Sequence, residues 1–235
     1  MKSAHRFTRP FPLSIALLSL LVLAGCGHTN NLSKYDFRGK TFMREVRVDP
    51  DASEVNVSID LPGDNPVAGV LVSIGEGISS AEASRKLRAA VRPEGVASAI
   101  SAGFERDFMR YLDVTPGTSS DIKPDYIVHT LLKRVAMTTS ASGVYLQVKA
   151  EIAVISRETA RDAWRNCEEV NLGVREFNGA AAAIPVLSTA SSIANLAQFF
   201  GLPEKEIQDA VLQSAQEIGF LMGETLRSDV AGMNR

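Results

Sequence analysis

Histidine, cysteine and aromatic side chains are scarce in this chain of 235 residues, which holds three histidines, two cysteines, one tryptophan and 6% aromatics. Each shortage removes a class of function. His5 lies before the longest apolar run and His28 just after it, which leaves His129 as the single histidine of the region expected to fold. His129 and Cys167 cannot supply the three or four closely spaced ligands of the usual zinc sites, so no metal and no other cofactor is expected. A Ser/His/Asp triad would have to recruit His129, and the sequence has no Gly-x-Ser-x-Gly elbow to present a nucleophile. Ser120 and Lys123 have Ser-x-x-Lys spacing, but Pro124 follows at once and disfavours a helix there. The "GEG" at 75–77 lacks the third glycine and the Gly-Lys-Ser/Thr of a phosphate loop. No catalytic residue is expected, and the chain reads as a non-enzyme. An excess of positive charge is missing too: 25 Lys and Arg stand against 27 Asp and Glu, a formal charge of −2. That balance argues against nucleic acid as a partner and against an electrostatic hold on anionic lipid.

The apolar run from Phe11 to Ala24 is shorter than the roughly 20 residues a spanning helix needs. Lys2, Arg6 and Arg9 precede it and small residues end it, which is the pattern of a secretory signal. Leu23-Ala24-Gly25-Cys26 matches the bacterial lipobox, in which the chain is cut between Gly25 and Cys26 and a lipid is attached to the cysteine thiol. Residues 1–25 are accordingly expected to be a cleaved lipoprotein signal, and Cys26 the site of diacylglycerol and palmitate attachment. More than one acyl chain anchors a protein stably, so the expected membrane contact is through acyl chains. Gly27, where aspartate would favour the inner membrane, points to the outer membrane by the sorting rule of enteric-type bacteria. A Cys26–Cys167 disulfide is arithmetically available in an oxidising compartment, and lipidation of Cys26 excludes it.

Residues 26–39, polar and without periodicity after the cysteine, read as a lipidated N-terminus and tether. Residues 40–176 read as an α/β domain and 177–235 as a C-terminal helical segment packed on it. "TFMREVRV" (41–48) and "EVNVSIDL" (54–61) alternate as half-buried strands do and are expected to pair as a hairpin across "DPDAS". "VAGVLVSIG" (67–75) reads as a more central strand. Ser79 and Glu82 have capping-box spacing, Pro93 ends or restarts a helix, and Val96, Ile100, Phe104, Phe108 and Leu112 form one apolar stripe. Glu105, Arg106 and Arg110 lie off that stripe and are expected to face water. Three further strands are expected over 125–137, 144–156 and 161–170. Between Glu204 and about Arg227 an apolar face of Ile207, Val211, Ile218, Leu221, Met222 and Leu226 predicts an amphipathic helix. That face is expected to pack on its own sheet, with a partner or a membrane as the alternatives. The expected fold is α/β, of the α+β type: a mostly antiparallel sheet of about five to six strands with helices on one face. His129, on a strand among apolar neighbours, is expected to be structural, a catalytic or pH-sensing role staying open. Cys167 is expected to be a buried small hydrophobe.

"VISRETARDAW" (154–164) carries a resemblance. Envelope lipoproteins of the curli-secretion-channel and penicillin-binding-protein-activator type, and the related N-terminal domain of the Tol translocation protein, have a hairpin of the form Asp-x-x-Thr-Gly-x-x-x-Trp. Thr159 and Trp164 stand at the matching spacing, whereas Ser156 replaces the aspartate and Ala160 the glycine, so the turn is expected to be built differently. The order of elements over roughly 41–172 also resembles that fold. The resemblance implies a periplasmic, non-enzymatic domain that docks onto an envelope protein, and it transfers no binding residue. The sequence thus reads as a lipid-anchored adaptor of the cell envelope. Its alternatives are a subunit of an oligomeric outer-membrane export channel, which leaves a homo-oligomer open, and an auxiliary lipid-binding lipoprotein of a transporter.

Overall fold

The computed structural model describes residues 27–52, 56–59, 67–68, 80–117, 123–140, 142–176 and 194–233. The strands β6 (Tyr126–Ser140), β7 (Gly143–Ser156) and β8 (Arg161–Glu176) form a long antiparallel meander. A short β1 (Thr29–Asn30) continues it antiparallel beyond β8. On the other side β2 (Thr41–Val48) runs parallel to β6, and β5 (Thr115–Pro116) parallel to β2. The β3 strand (Asn56–Ile59) also runs parallel to β6 and pairs antiparallel with β4 (Val67–Ala68). The helices are α1 (Ser80–Ala90), α2 (Pro93–Leu112) and α3 (Glu204–Met233), with a further helical stretch over 194–200. The expected α/β class is therefore found, as a mixed sheet with a larger parallel share than the alternation suggested. Among the described residues, no helix is long and apolar enough to cross a membrane.

The expected hairpin between 41–48 and 54–61 does not form. Instead β2 follows Tyr126–Leu132 of β6 while β3 follows Ala136–Thr139 of that same strand, in the same direction. Asp49 N–H donates to the Leu132 carbonyl at 2.8 Å, and one 3₁₀ turn over Pro50–Ala52 carries the chain forward. It passes the point where the β6–β7 register shifts, between Leu132 and Arg134. Turn chemistry in "DPDAS" was thus correctly located, but the bulged partner converts it into a step along one edge. The strand expected at 67–75 is described only at Val67–Ala68, where it lies outside β3 rather than centrally; 69–75 lie outside the described residues.

The core forms between one sheet face and the helices. Leu146, Val148, Ala150, Ile152 and Val154 of β7 are all buried, as strict alternation requires. The α2 stripe of Val96, Ile100, Phe104, Phe108 and Leu112 is buried against that face. Pro93 sits in the first turn of α2 with its φ already helical, and Asp113 ends the helix in the left-handed conformation, φ 56°. A row of aromatic contacts crosses the core. Trp164 of β8 stacks on Phe104 at 5.3 Å between centroids and Phe104 on Phe108 at 6.0 Å. Phe108 then meets Phe42 of β2 edge-on at 5.2 Å and Phe37 at 6.3 Å.

Glu105, expected to face water, is only 7% exposed. Its carboxylate accepts from Arg44 Nε at 2.5 Å and Arg44 Nη2 at 2.6 Å, and from Ser101 Oγ at 3.0 Å. Arg44 extends from the helix-facing side of β2, so this two-pronged ion pair bolts α2 to the sheet edge. The carboxylate beside it pushes the Arg44 guanidinium above its ordinary range.

The amphipathic α3 packs on α2 and on β8, its predicted apolar face buried except for Leu221, which is 46% exposed. Contact with α2 is backbone to backbone. A Cβ on Gly103 would lie 2.1 Å from the Gln216 carbonyl oxygen, and one on Gly219 would lie 2.1 Å from that of Ile100. Neither position can accept a methyl group unless a helix axis moves. Gly219→Ala is expected to lower the unfolding free energy in urea by about 3 kcal/mol, the upper range for overpacking. A loss no larger than the few tenths typical of an exposed helix position would show that the helices do not approach this closely.

Candidate functional site

The segment expected to be a tether is built into the domain. Thr29 and Asn30 pair with Arg165 and Trp164, Asn31 N–H donates to the Ala163 carbonyl at 2.9 Å, and Asn31 Nδ2 donates to that of Asp162 at 3.3 Å. A 3₁₀ turn over Leu32–Lys34 follows, and the buried Leu32 and Phe37 join the core. Phe37 stacks on Tyr126 with ring centroids 4.5 Å apart, and Tyr126 Oη–H donates to the Asp36 carbonyl at 2.7 Å. Gly39 N–H donates to the Asp113 carbonyl at 2.9 Å, and Lys40 N–H to that of Phe37 at 3.0 Å. The chain from β1 to β2 is therefore a strap along one end of the sheet. Two isolated apolar residues hold it there, too few and too irregular to register as a pattern in a polar stretch.

At the start of the strap, His28 meets two elements at once. Its Nε2 lies 3.1 Å from Asp229 Oδ2 of α3, and its ring meets Trp164 edge-on at 6.2 Å. Trp164 Nε1–H donates to that same Asp229 oxygen at 2.7 Å. Beside them Thr225 Oγ1 donates to Glu168 Oε1 at 2.6 Å, joining α3 to β8 again. This cluster is where the predicted anchor would enter the folded body. Gly25 and Cys26 themselves lie outside the described residues, as do Ser120 of the Ser-x-x-Lys pair and the glycines at 75–77.

Further along, the strap and the β7–β8 turn enclose a cleft of about 400 Å³ lined by Lys34, Tyr35, Lys40, Asp125, Arg157 and Glu158, among others. Asp125 accepts from Thr41 N–H at 2.9 Å and from Thr41 Oγ1 at 3.1 Å, with Lys40 Nζ 3.6 Å away. The Thr41 hydrogen bonds hold its carboxyl below the usual carboxylate range, with Lys40 adding to the effect. Burial pushes the Tyr126 phenol up to about 12, so it keeps the proton that it donates to the Asp36 carbonyl. With three cations and three carboxylates around it, counting Asp36, the cleft favours neither sign of ligand.

The Thr159 turn lines this cleft. Ser156 Oγ accepts from Thr159 N–H at 3.4 Å, and Ala160 occupies the left-handed conformation at φ 54°, which favours glycine. Because alanine is strained at such a φ, Ala160→Gly is expected to stabilise the protein by about 1 kcal/mol, read as a rise in the denaturation midpoint.

His129 and Cys167 lie on the sheet face turned away from the helices. Along one rung Glu45, His129, Ala153 and Arg165 stand side by side. Glu151 of the next rung is buried and binds both Arg165 and Lys133, the latter at 2.6 Å, while Arg165 also holds Asp162 at 2.8 Å. Met43 stands 45% exposed on the same face. Cys167, expected as a buried thiol, is half-buried and disulfide-bonded. The expected buried thiol is thus corrected at Cys167, whereas the lipidation expected at Cys26 lies outside the described residues. Among the described residues, no three His, Cys, Asp or Glu side chains are grouped to hold a metal ion.

Burial lowers the His129 pKa from the ordinary 6.5, against the attraction of Glu45 and Glu151 and with the help of Arg47 and Arg165. Folding therefore favours the neutral imidazole. Its contribution to stability is complete above the unfolded-state value and is lost as pH falls through the lowered folded-state one. An NMR titration is expected to give a His129 midpoint below 6.5, and His129→Gln to flatten the fall in stability on the acid side of that value. A midpoint at or above 6.5 would contradict the burial argument.

No family model matches the chain, and no curated protein matches it. Several solved structures are similar in part. Protein XCC0632 from Xanthomonas campestris (DUF330) is 10% identical, covering 83% of this chain and 89% of its own, with a TM-score of 0.38. The PelC dodecamer from Paraburkholderia phytofirmans is 11% identical over 81% of this chain and 97% of its own, TM-score 0.30. A presumed lipoprotein from Caulobacter crescentus is 11% identical over 57% of this chain and 96% of its own, TM-score 0.24. At these identities and scores the likeness assigns no function.

Proposed function

We propose that this protein is a non-enzymatic lipoprotein of the bacterial cell envelope, anchored through acyl chains on Cys26 and acting as an adaptor for an envelope protein. The observation that carries this reading is the Leu23-Ala24-Gly25-Cys26 lipobox behind a short apolar run with a basic start. Gly27 at the position after the cysteine supports the outer membrane, facing the periplasm. The sheet face carrying Glu45, Arg47, Lys133, Glu151 and Arg165 suits a protein partner, because its charges are preorganised by one another and alternate in sign.

A second reading rests on the disulfide at Cys167. The chain has two cysteines, so a thioether lipid on Cys26 and an intrachain disulfide compete for one sulfur. Were the disulfide to win, the protein would be an exported, unlipidated domain of an oxidising compartment. Intact mass of the membrane-extracted protein separates the two. The anchored reading expects a mass increase from diacylglycerol and a further acyl chain, unchanged by reducing agent. It also expects Cys26→Ser to lose labelling by radioactive palmitate and to leave the membrane fraction. A membrane-bound, acylated Cys26→Ser protein would overturn it.

A further inference from the structure

A sheet that leaves one face to water alternates apolar and polar residues, so its solvated face reads as polar. The face turned away from the described helices departs from that pattern. Met43, Ile127, Leu131, Ala153 and Ile155 all lie on it, between Glu45 and Arg47 on the β2 side and Asp162 and Arg165 on the β8 side. An apolar centre inside a charged rim is the anatomy of a protein interface. The rim charges are held in place yet reachable: Arg47 Nε donates to Glu45 at 2.8 Å, Arg165 binds Glu151 and Asp162, and the Glu45 and Arg165 side chains are 35% and 34% exposed.

The strand register selects the occupant. Across the sheet, one rung reads Met43, Ile127, Ile155, Asp162 and the next Glu45, His129, Ala153, Arg165. Two copies stacked face to face with aligned strands are related by a twofold axis that runs either along the strands or across them. An axis along the strands, between β6 and β7, exchanges β2 with β8 and β6 with β7 within every rung. Glu45 of each copy then faces Arg165 of the other, Ile127 faces Ile155, and His129 faces the small Ala153. An axis across the strands sets isoleucine on isoleucine only when centred on the first rung, where it opposes Asp162 to Asp162.

We infer, resting on the reading of this face as a protein-docking surface, that it takes a second copy of the chain in a twofold dimer with its axis along β6 and β7. The contact uses no residue of the N-terminal signal, so it is the same whichever fate the Cys26 sulfur meets. Four strands about 4.8 Å apart, each contributing eight residues at about 3.3 Å, span roughly 500 Å² per copy. That is the low end for a specific interface, so the dimer is reversible in the micromolar range.

Sedimentation of the purified mature protein, in detergent where it is acylated, is expected to show monomer and dimer exchanging with concentration. Glu45→Lys should raise the dissociation constant at least tenfold, because like charges then meet at both rim contacts, and should leave the melting temperature unchanged. Arg165 stays untouched, since it also holds Glu151 and Asp162 within one copy. Placed at Met43, 45% exposed, p-benzoylphenylalanine should cross-link one copy to the β8 segment around Asp162 of another, read by mass spectrometry of an isotopically mixed sample. At Leu221, 46% exposed on the helical layer, it should not. Monomer throughout the micromolar range, a folded Glu45→Lys protein that dimerises as well as the parent, or a dimer cross-linked through Leu221 overturns the inference. A Met43 cross-link to a different envelope protein overturns it too, while leaving the adaptor reading standing. An unacylated mass overturns the anchor and leaves the dimer untouched.

Discussion

The aromatic row from Trp164 through Phe104 and Phe108 to Phe42, Phe37 and Tyr126 is the contact on which the rest of the domain depends. These six side chains come from β8, α2, β2, the strap and β6, so each element's position is fixed by rings belonging to its neighbours. With only 6% aromatics in the chain, concentrating them here gives the core its largest side chains where the elements converge. Trp164 also turns outward through its N–H, placing Asp229, and Asp229 in turn meets His28. The packing of the interior thus reaches the start of the N-terminal strap through this indole, and the rest of the strap through Leu32 and Phe37.

Where periodicity carried the information, the sequence was legible. The residues predicted to be inward from the β7 alternation and the four-residue stripe of α2 are all buried, and Glu151, Ala153, Glu105 and Asp107 are buried besides. What escaped was set by partners distant in sequence. Glu105 looks solvent-facing on a helical wheel because its partner, Arg44, lies on a strand 61 positions away. The hairpin expected at "DPDAS" failed because a bulge in β6, unreadable from residues 49–53, decides which way the chain continues. Gly103 and Gly219 carry no signal of their own, since a glycine that permits close helix contact looks like one that weakens a helix.

The strap is the clearest case. "GHTNNLSKYDFR" has no repeat, little apolar content and residues typical of a spacer. Leu32 and Phe37 are buried because the ends of β6, α2 and β8 leave gaps that fit them, and a gap is not visible in the segment that fills it. The candidate site suffered similarly. The lipobox was readable because signal processing recognises local sequence, whereas the His28–Asp229–Trp164 cluster joins residues up to 201 positions apart.

The two cysteines then pose one physical question at one place. The strap joins the β8 edge at Thr29 and Asn30, on the strand that carries Cys167. A disulfide would add a covalent constraint to a segment already held by hydrogen bonds and two buried side chains. A lipid would leave that segment to its noncovalent contacts and load it with the pull of the membrane. Two core residues and a short ladder are enough for that load only if the aromatic row behind them is intact, because Phe37 seats on Tyr126 and Phe108 and His28 on Trp164. The scarce aromatics therefore serve the core and the strap together.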